Sequence, residues 1–431
     1  MKLEVIKTYI LTILVLVSVL LTFAIWNYQP NYEFLYNNET EYVNEVDLGG
    51  ADDKVKRDVI VPTSIIFHHD SNDFGFTNPR DQHLFYEDMA EWEFENPEIE
   101  VAGTKPEHRY QVELTFTRNL PAEIIRSLFL VDEDDQLPEW SFQRLIISVD
   151  NTEKTMKAHF ISEDNDEHLT FSINGSNAFA DVWAMFQGDE RLERYIAFEN
   201  SKQSIYLPTE KLDMRSQTFA IKNIDSYLLV NALFSNKDDV EPNFGEQYYT
   251  DGQRGMRILE GGDLVEFINP IHLKVHHTDQ LELLESSIEH INNHSGWTDD
   301  YRFANINEID DSIKYRMHYN DFPVFSSQDL SVIEQSWRDQ DLHLYRRPLF
   351  SLDNLFTMDT ITLASGEDII YYLESNGNYS LDKIEKIQVG YSLSYSGNSR
   401  ENVTFKPAWF MKYNGNWSEI HFDDIYEKGG S

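Results

Sequence analysis

The sequence predicts an α+β protein with one N-terminal transmembrane helix and a three-domain extracytoplasmic region, whose last two domains are helix-on-antiparallel-sheet modules. Three observations support this prediction. Residues 9–26 form an uncharged apolar run, and no later stretch is comparably apolar. The rest of the chain mixes helical and strand periodicities, with more strands than helices. A helix followed by strands of alternating apolar residues occurs twice, at residues 279–350 and 365–422.

The apolar run has no charged residue, no proline and no glycine. As a helix it would extend over roughly 27 Å, which is close to the hydrocarbon thickness of a bilayer. The alternative is a cleavable signal peptide, which would end in a small-x-small cleavage pair. The exit, FAIWN at residues 23–27, has no such pair, and Trp26 and Tyr28 lie where aromatic side chains anchor a helix at the interface. We expect an uncleaved signal anchor.

Basic residues set the expected orientation of this helix. The head, residues 1–8, carries Lys2, Lys7 and the α-amine against Glu4, and positively charged flanks stay on the cytoplasmic side. The sequence therefore predicts a single-pass protein of the cell membrane in contact with the lipid bilayer. The bulk of the chain would be extracytoplasmic.

Composition excludes several classes of function. The formal net charge of −40 repels nucleic acid and anionic lipid. The acidic residues could serve cation binding, but they are scattered rather than placed at ligand spacing. We therefore attribute them to adaptation to a saline or alkaline exterior. The chain has no cysteine, which rules out disulfides, thiolate catalysis and cysteine metal sites.

About 400 residues follow the helix, too many for one ordinary core. Residues 27–57 have few aliphatic side chains and a Gly49-Gly50 pair, which is typical of a linker. The predicted domains after it are 58–207 (α+β), 208–352 (helix plus antiparallel sheet) and 353–431 (helix plus antiparallel sheet).

Capping and turn residues predict the position of several elements. Asn78-Pro79 predicts a helix start, followed by Phe85, Met89 and Trp92 on one helical face. Ser365 and Asp368 form a capping-box pattern, and Asn414-Gly415 is a strong hairpin signal. Further helices are expected near residues 124–128, 179–186, 224–229 and 279–291. Strict alternation predicts strands at residues 110–116, 313–319 and 387–395.

No catalytic, cofactor-binding or metal-binding motif emerges from the sequence. It contains no phosphate loop, no HExxH and no GxSxG nucleophile elbow. The histidine pairs His68-His69 and His276-His277 cannot chelate one ion from a straight strand, because neighbouring side chains point to opposite faces. We expect exposed histidines at strand ends instead. The acidic clusters 132–135 and 310–311 lack calcium-loop spacing and are expected to be solvated loops.

The predicted membrane helix carries one informative pattern. Its hydroxyl-bearing stripe is about 80° wide, and the opposite face is aliphatic or small. Helices associate in lipid through small residues and interhelical hydroxyl bonds, since they gain nothing there from hydrophobic burial. The stripe is therefore our candidate partner-binding surface; the alternative is that serine and threonine are simply tolerated there. Its residues are Thr8, Leu11, Val15, Ser18 and Thr22.

The chain resembles the YycH family, the membrane-anchored accessory proteins of the WalK/WalR (YycG/YycF) two-component system. The resemblance covers essentially the whole length. Four segments carry it: ILTILVLVSVLLTFAIWNYQPNYEFL at 10–35, FPVF at 322–325, LYRRPLF at 344–350 and KPAWFMKYNGNW at 406–417. None is a catalytic signature, although their order and spacing together are fairly specific.

The resemblance implies a single membrane helix, a three-domain exterior and a role. It implies that the chain associates with a WalK-type sensor histidine kinase and a YycI-like membrane protein through membrane helices, and so affects cell-wall homeostasis. We therefore expect a non-enzymatic regulator. One alternative is an extracytoplasmic ligand-binding sensor. A second is an extracytoplasmic hydrolase, which would require a deep pocket with convergent carboxylates or histidines.

Overall fold

Two large, mostly antiparallel sheets dominate the structure, which is a computed structural model. It describes residue 7 and the ranges 46–101, 109–164, 166–175, 177–200, 204–243, 247–270, 279–338, 341–377, 379–397 and 400–421. The mixed α and β content agrees with the predicted class. The predicted membrane helix at residues 9–26 lies outside the described residues. Within them, no helix is long and apolar enough to cross a bilayer.

The first sheet contains ten described strands from the N-terminal half of the chain. Its strand order is β10-β9-β2-β1-β4-β6-β7-β8-β3-β5. All neighbours pair antiparallel except β3 and β5. The strands are β1 (Ser64–His69), β2 (Asn72–Phe76), β3 (Glu93–Val101), β4 (Tyr110–Pro121), β5 (Leu130–Val131), β6 (Ser141–Asp150), β7 (Thr155–Ser162), β8 (Glu167–Asn174), β9 (Leu192–Glu199) and β10 (Ser204–Pro208).

The second sheet contains fourteen described strands from the rest of the chain. Its main path is β12-β13-β14-β15-β20-β19-β17-β18-β22-β23-β11-β21, with β16 paired to β17 and β24 to β23. The strands are β11 (Leu212–Asn223), β12 (Glu241–Asn243), β13 (Tyr248–Thr250), β14 (Gly255–Leu259), β15 (Leu264–Ile268), β16 (Asp300–Asn307), β17 (Ser312–Tyr319), β18 (Phe322–Phe325), β19 (Val332–Arg338), β20 (Asp341–Pro348), β21 (Phe350–Leu363), β22 (Ile384–Tyr395), β23 (Asn402–Tyr413) and β24 (Asn416–Glu419).

The predicted domain boundaries relate differently to these sheets. The boundary after residue 207 falls one residue before the end of β10, close to where the chain leaves the first sheet for the second. The boundary after residue 352 falls inside strand β21, and strands on either side of it pair with each other: β11 with β21 and β23, and β18 with β22. The described residues from 46 onward belong to one compact unit with a largely continuous apolar core.

Seven α-helices pack on the sheets within the described residues, and the predicted caps are confirmed. Asn78 accepts a hydrogen bond from Arg80 N at 3.0 Å, and Ser365 forms a capping box with Asp368. The helices are α1 (Lys56–Val59), α2 (Pro79–Met89), α3 (Ile125–Leu128), α4 (Ala178–Phe186), α5 (Ser226–Leu233), α6 (Gln280–Asn292) and α7 (Gly366–Ser375).

One predicted helical face is one turn too long. Helix α2 ends at Met89, because the next amides bond three residues back: Glu91 N to Asp88 O and Trp92 N to Met89 O. Trp92 is nevertheless buried, and its ring lies edge-on to Phe85 at 6.1 Å. The apolar spacing identified a core residue but not its secondary structure.

Two expectations of solvent exposure are also wrong. Asp311 is 1% exposed. It has a positive φ angle in the turn before β17, and its carbonyl oxygen accepts a hydrogen bond from the amide of Trp337. His68, near the end of β1, is half-buried rather than exposed, because Asp73 and Glu113 flank its ring. By contrast, residues 132–134 are exposed, as expected.

The described end of the predicted linker packs on the folded body. Val46 and Leu48 are buried, and the Leu48 amide bonds to the carbonyl oxygen of His294 at 3.1 Å. Gly50 approaches the Trp297 backbone so closely that a Cβ there would lie 2.3 Å from its carbonyl carbon. Residues 46–57 therefore do not form a free tether.

Candidate functional site

A cavity of about 240 Å³ lies where the two sheets meet, and we call it the inter-sheet cavity. Strands β1, β9 and β10 and helix α2 contribute its first-sheet wall. Strands β16, β17, β18, β22 and β23 contribute the opposite wall. Its charged and histidine side chains are His83, Glu193, Arg302, Arg316, His318, Asp321 and Lys386.

The alternation of strand β17 places two of these groups. Tyr315 and Met317 point into the core, and the Tyr315 hydroxyl bonds to Ser287 of helix α6. The intervening side chains Arg316 and His318 therefore emerge on the opposite face, which lines the cavity. The sequence predicted this alternation, but it cannot show whether the polar face meets solvent or another sheet.

Arg316 is held by a carbonyl and an aromatic ring. Its Nη1 donates to Val324 O at 3.2 Å, and its guanidinium lies over the Phe325 ring with 4.4 Å to the ring centroid. Burial lowers the pKa of Arg316 to about 10, although Asp329 partly opposes the shift. It forms no ion pair with a carboxylate of the described chain.

Lys386 bridges the two sheets. Its Nζ donates to Thr117 O at 2.9 Å and to Phe116 O at 3.3 Å, both on strand β4. Burial, together with the charges of Lys412 and Arg118, lowers the pKa of Lys386 to about 7. The adjacent Glu385 instead pairs with Lys412 at 2.9 Å.

Arg302 differs because it is fully paired with carboxylates. It donates to Asp300 Oδ2 at 2.8 Å and forms a closer ion pair with Asp321. Burial opposes its charge, but Asp300 and Asp321 outweigh that effect and raise the pKa of Arg302. The same cavity thus contains one compensated guanidinium and two basic side chains, Arg316 and Lys386, without a carboxylate partner among the described residues.

The two histidines of the cavity both have lowered pKa values. Burial and the neighbouring Arg302 lower the pKa of both His83 and His318, that of His318 to about 3. His318 Nδ1 bonds to the carbonyl oxygen of Arg316 at 3.0 Å, which makes this nitrogen the donor. His83 Nε2 lies 3.2 Å from Glu87. The cavity thus brings histidines and carboxylates together, as the hydrolase alternative requires, but neither of these two histidine contacts is with a hydroxyl group.

Aromatic side chains form much of the remaining wall. Phe322, Trp409 and Trp417 line the cavity. Trp417 lies 5.0 Å from Phe325, which stacks on Phe410 outside the lining at 4.0 Å between ring centroids. Trp409 is fixed by a hydrogen bond from its Nε1 to Ala364 O at 3.0 Å. The segments 322–325 and 406–417, which carry the family resemblance, therefore meet at this cavity.

The partner-binding stripe predicted from the sequence lies outside the described residues, as do its flanking anchors. This applies to Thr8, Leu11, Val15, Ser18, Thr22, Lys2, Trp26 and Tyr28; Lys7 is described and is exposed. The sequence reading missed Arg316 and Lys386. Arg316 lies on the polar face of the strand predicted at residues 313–319, and Lys386 directly precedes the strand predicted at 387–395, in a strongly acidic chain.

No group of three or more potential metal ligands occurs within the described chain. His276 and His277 lie outside it. The His69 ring lies tilted against Tyr110 at 4.5 Å between centroids, while His68 Nδ1 lies 2.7 Å from Asp73 Oδ1, so the two rings contact different partners. This arrangement follows the opposite orientation of successive strand residues.

Comparison with known proteins identifies relatives over the whole chain. The family model "YycH protein, N-terminal domain" matches residues 4–188, and "YycH protein, C-terminal domain" matches residues 202–429. The Bacillus subtilis (strain 168) protein named "Two-component system WalR/WalK regulatory protein YycH" is 24% identical over 455 aligned residues. That alignment covers 100% of this chain and 99% of the relative.

A solved structure supports the fold independently. The crystal structure of YycH from Bacillus subtilis superimposes with a TM-score of 0.73 at 21% identity, covering 87% of this chain and 99% of that one. The resemblance inferred from sequence segments is thereby confirmed. The two matching family models together span nearly all of the sequence, and the chain belongs to the YycH family.

Proposed function

We propose that this chain is a membrane-anchored, non-enzymatic regulator of a WalK-type sensor histidine kinase. The observation that carries the proposal is the family membership, with a full-length relative named as a WalR/WalK regulatory protein. The inter-sheet cavity adds limited support, because neither described contact of its two histidines is with a hydroxyl group. The regulator would act with a YycI-like membrane protein and affect cell-wall homeostasis.

The proposed mechanism places the contact in the membrane. A helix that binds two conformations of the kinase bundle with different affinities shifts the equilibrium between them by that difference. The hydroxyl-bearing stripe of residues 9–26 offers small side chains and interhelical hydrogen bonds for such binding. The folded exterior would then position the helix or report an extracytoplasmic signal.

Replacing residues 9–26 with an unrelated single-pass anchor tests this mechanism. Kinase output, measured from a WalR-dependent reporter, should change toward the level of a deletion strain, while the amount and membrane location of the chimera stay constant. A control chimera restores Ser18 and Thr22, with the rest of the stripe, on the foreign helix. Unchanged output in the first chimera would exclude helix contact as the mechanism.

A second candidate function is an extracytoplasmic ligand sensor with the helix as a tether. The observation that favours it is the inter-sheet cavity, which joins polar and aromatic lining residues from both sheets. This role is compatible with kinase regulation, since a ligand bound between two sheets can shift the equilibrium between two conformations of the protein. Saturable binding of a ligand by the full-length chain would support it.

A further inference from the structure

We propose that the inter-sheet cavity is a binding site for a small organic anion, whose carboxylate or phosphate oxygens pair with Arg316 or Lys386 and whose apolar part packs on the aromatic wall. This inference goes beyond kinase regulation and needs no statement about the membrane helix. It rests on the charges, contacts and size of one cavity.

The cavity holds basic side chains without acidic partners in a chain that is rich in acids. The chain contains 75 acidic residues against 35 lysines and arginines, so carboxylates are abundant. Arg316 and Lys386 nevertheless line the cavity without an ion pair to a described carboxylate. A buried cation without a counter-charge costs several kcal/mol. A fold with this surplus of acid could have placed a carboxylate beside each of them.

Arg302 provides an internal comparison. It lines the same cavity, and the fold supplies it with both Asp300 and Asp321. These two carboxylates neutralise the charge of the Arg302 guanidinium. Arg316 receives one carbonyl and one ring face instead, which leaves its charge uncompensated. A planar guanidinium of this kind is suited to a carboxylate or phosphate group.

The contacts of Lys386 provide hydrogen-bond acceptors for its ammonium group but no opposite charge. Two carbonyl oxygens accept from its ammonium, which has three donors. Burial lowers the pKa of Lys386, and the nearby charges of Lys412 and Arg118 lower it further. Glu385 only partly opposes this shift. An anion in the cavity would reverse this effect and restore the charge of Lys386.

The acids of the lining do not prevent this. Asp321 is committed to Arg302. Burial and the nearby Glu210 raise the pKa of Glu193, and its Oε1 is buried without a hydrogen-bond partner among the described residues. His83 adds a polar group: its Nδ1 is buried and has no hydrogen-bond partner among the described residues.

The size and the walls of the cavity specify an organic ligand. A volume of about 240 Å³ exceeds the space needed for an inorganic ion and suits a molecule of one or two rings. Trp409 and Trp417 line it together with Phe322 and Pro323, so an apolar group has surface to cover. The ligand class is therefore an anion attached to an aromatic or aliphatic body.

Paired probes test the proposal on the purified full-length chain, with a detergent- or lipid-matched blank. The probes are 2-naphthoate and 2-naphthyl phosphate, with uncharged 2-naphthamide as the control ligand. Calorimetry and the fluorescence of the cavity tryptophans should report saturable binding of at least one anion, about tenfold or more tighter than the amide. The two anions separate carboxylate from phosphate recognition.

Variants assign the binding to the cavity. Arg316→Gln or Lys386→Met should weaken anion binding about tenfold, while Arg316→Lys should retain part of it. Lys314→Gln is the matched control, because it removes a charge from the same strand without lining the cavity. Ala304→Phe, which fills the cavity without changing its charge, should block all three probes. Unfolding curves show whether each variant is folded.

Three results would overturn the proposal. Equal affinity for naphthamide and the anions would make the cavity an apolar pocket only. Equal loss in Lys314→Gln would indicate non-specific attraction. Absence of saturable anion binding by the folded wild-type chain would remove the site altogether. None of these results bears on kinase output in the anchor chimera, so failure here and failure of the proposed regulatory role are distinguishable.

Discussion

Lys386 on strand β22 donates to the carbonyl oxygen of Thr117 on strand β4 at 2.9 Å, and so connects the two sheets directly. The contact joins residues far apart in sequence at the edge of the inter-sheet cavity. Asn200 makes a second connection nearby, from its Nδ2 to Ile384 O at 2.7 Å. The relative placement of the sheets thus depends on a few polar bridges as well as on the apolar core.

Replacing Lys386 with methionine should therefore weaken the junction. At pH 9 the variant should lose about 1–2 kcal/mol of unfolding free energy, the value of its hydrogen bonds to Thr117 and Phe116. Chemical denaturation of the full-length chain measures the loss. Lys406→Met, which removes an exposed lysine from strand β23, should leave the unfolding free energy nearly unchanged.

The Lys386→Met effect should also depend on pH. The pKa of Lys386 falls from 10.5 to about 7 on folding. Between these values the unfolded chain holds a proton that the folded chain lacks, so the wild type gains stability as pH rises. The difference between wild type and variant should be smaller at pH 6 than at pH 9. A constant or opposite difference would contradict burial of the ammonium.

Local chemistry made several elements predictable. Asn78, Asp279 and Ser365 each accept a backbone amide at a helix start, and these bonds depend on residues two or three positions away. Asn414 and Gly415 both have positive φ angles, as a two-residue hairpin turn requires. Such features lie within one short window of sequence.

The cavity was not predictable because it is assembled from distant segments. Arg316 is on β17 and Lys386 is on β22. The two strands are brought together because β18 lies between them and pairs in parallel with β22, where Val324 is opposite Tyr391. Strand β11 likewise inserts beside β23, where Phe219 lies opposite Val403. The alternation of residues predicts which face of each strand is polar, but it does not predict whether that face contacts solvent or another sheet.

His68 should make stability depend on pH in the opposite sense. Burial would lower the pKa of His68, but Asp73 and Glu113 outweigh it and raise the value from 6.5 to about 9. The stabilisation is complete below pH 6.5 and is lost as pH rises through 9. His68→Gln should cost about 2–3 kcal/mol at pH 6 and little at pH 10.

Unfolding curves across this pH range measure the His68 effect. His421→Gln is the control, because the side chain of His421 is 70% exposed. It should show little difference from wild type at any pH. A His68→Gln penalty that persists above pH 9 would mean that packing, rather than the ion pairs with Asp73 and Glu113, holds this histidine.

Arg347 in the LYRRPLF segment has a structural role. It is fully buried, and its guanidinium donates to Gly296 O, Thr298 Oγ1 and Pro348 O at 2.9, 2.9 and 3.2 Å. Lysine cannot reproduce this planar set of donors. Arg347→Lys should lower the unfolding free energy by about 2–4 kcal/mol in a urea titration. Exposed Arg257→Lys should be neutral, and equal effects in both would contradict the proposed role of the guanidinium.

The membrane stripe can be tested with two substitutions that preserve apolarity. Ser18→Leu with Thr22→Leu removes both hydroxyls and replaces two small side chains of the stripe with bulky ones. The helix remains apolar enough for a bilayer. If the stripe binds the kinase, the double variant should lose about 1–2 kcal/mol of association, or about 5- to 30-fold in recovery of the kinase from membranes.

The matched control places Ile13→Leu and Val17→Leu on the opposite face of the same predicted helix. It should recover the kinase like the wild type, because the volume change is small and the stripe is intact. Equal loss in both variants would indicate a general effect on the anchor. Equal recovery in both would move the contact to the exterior, where ligand binding in the inter-sheet cavity could still bias the kinase.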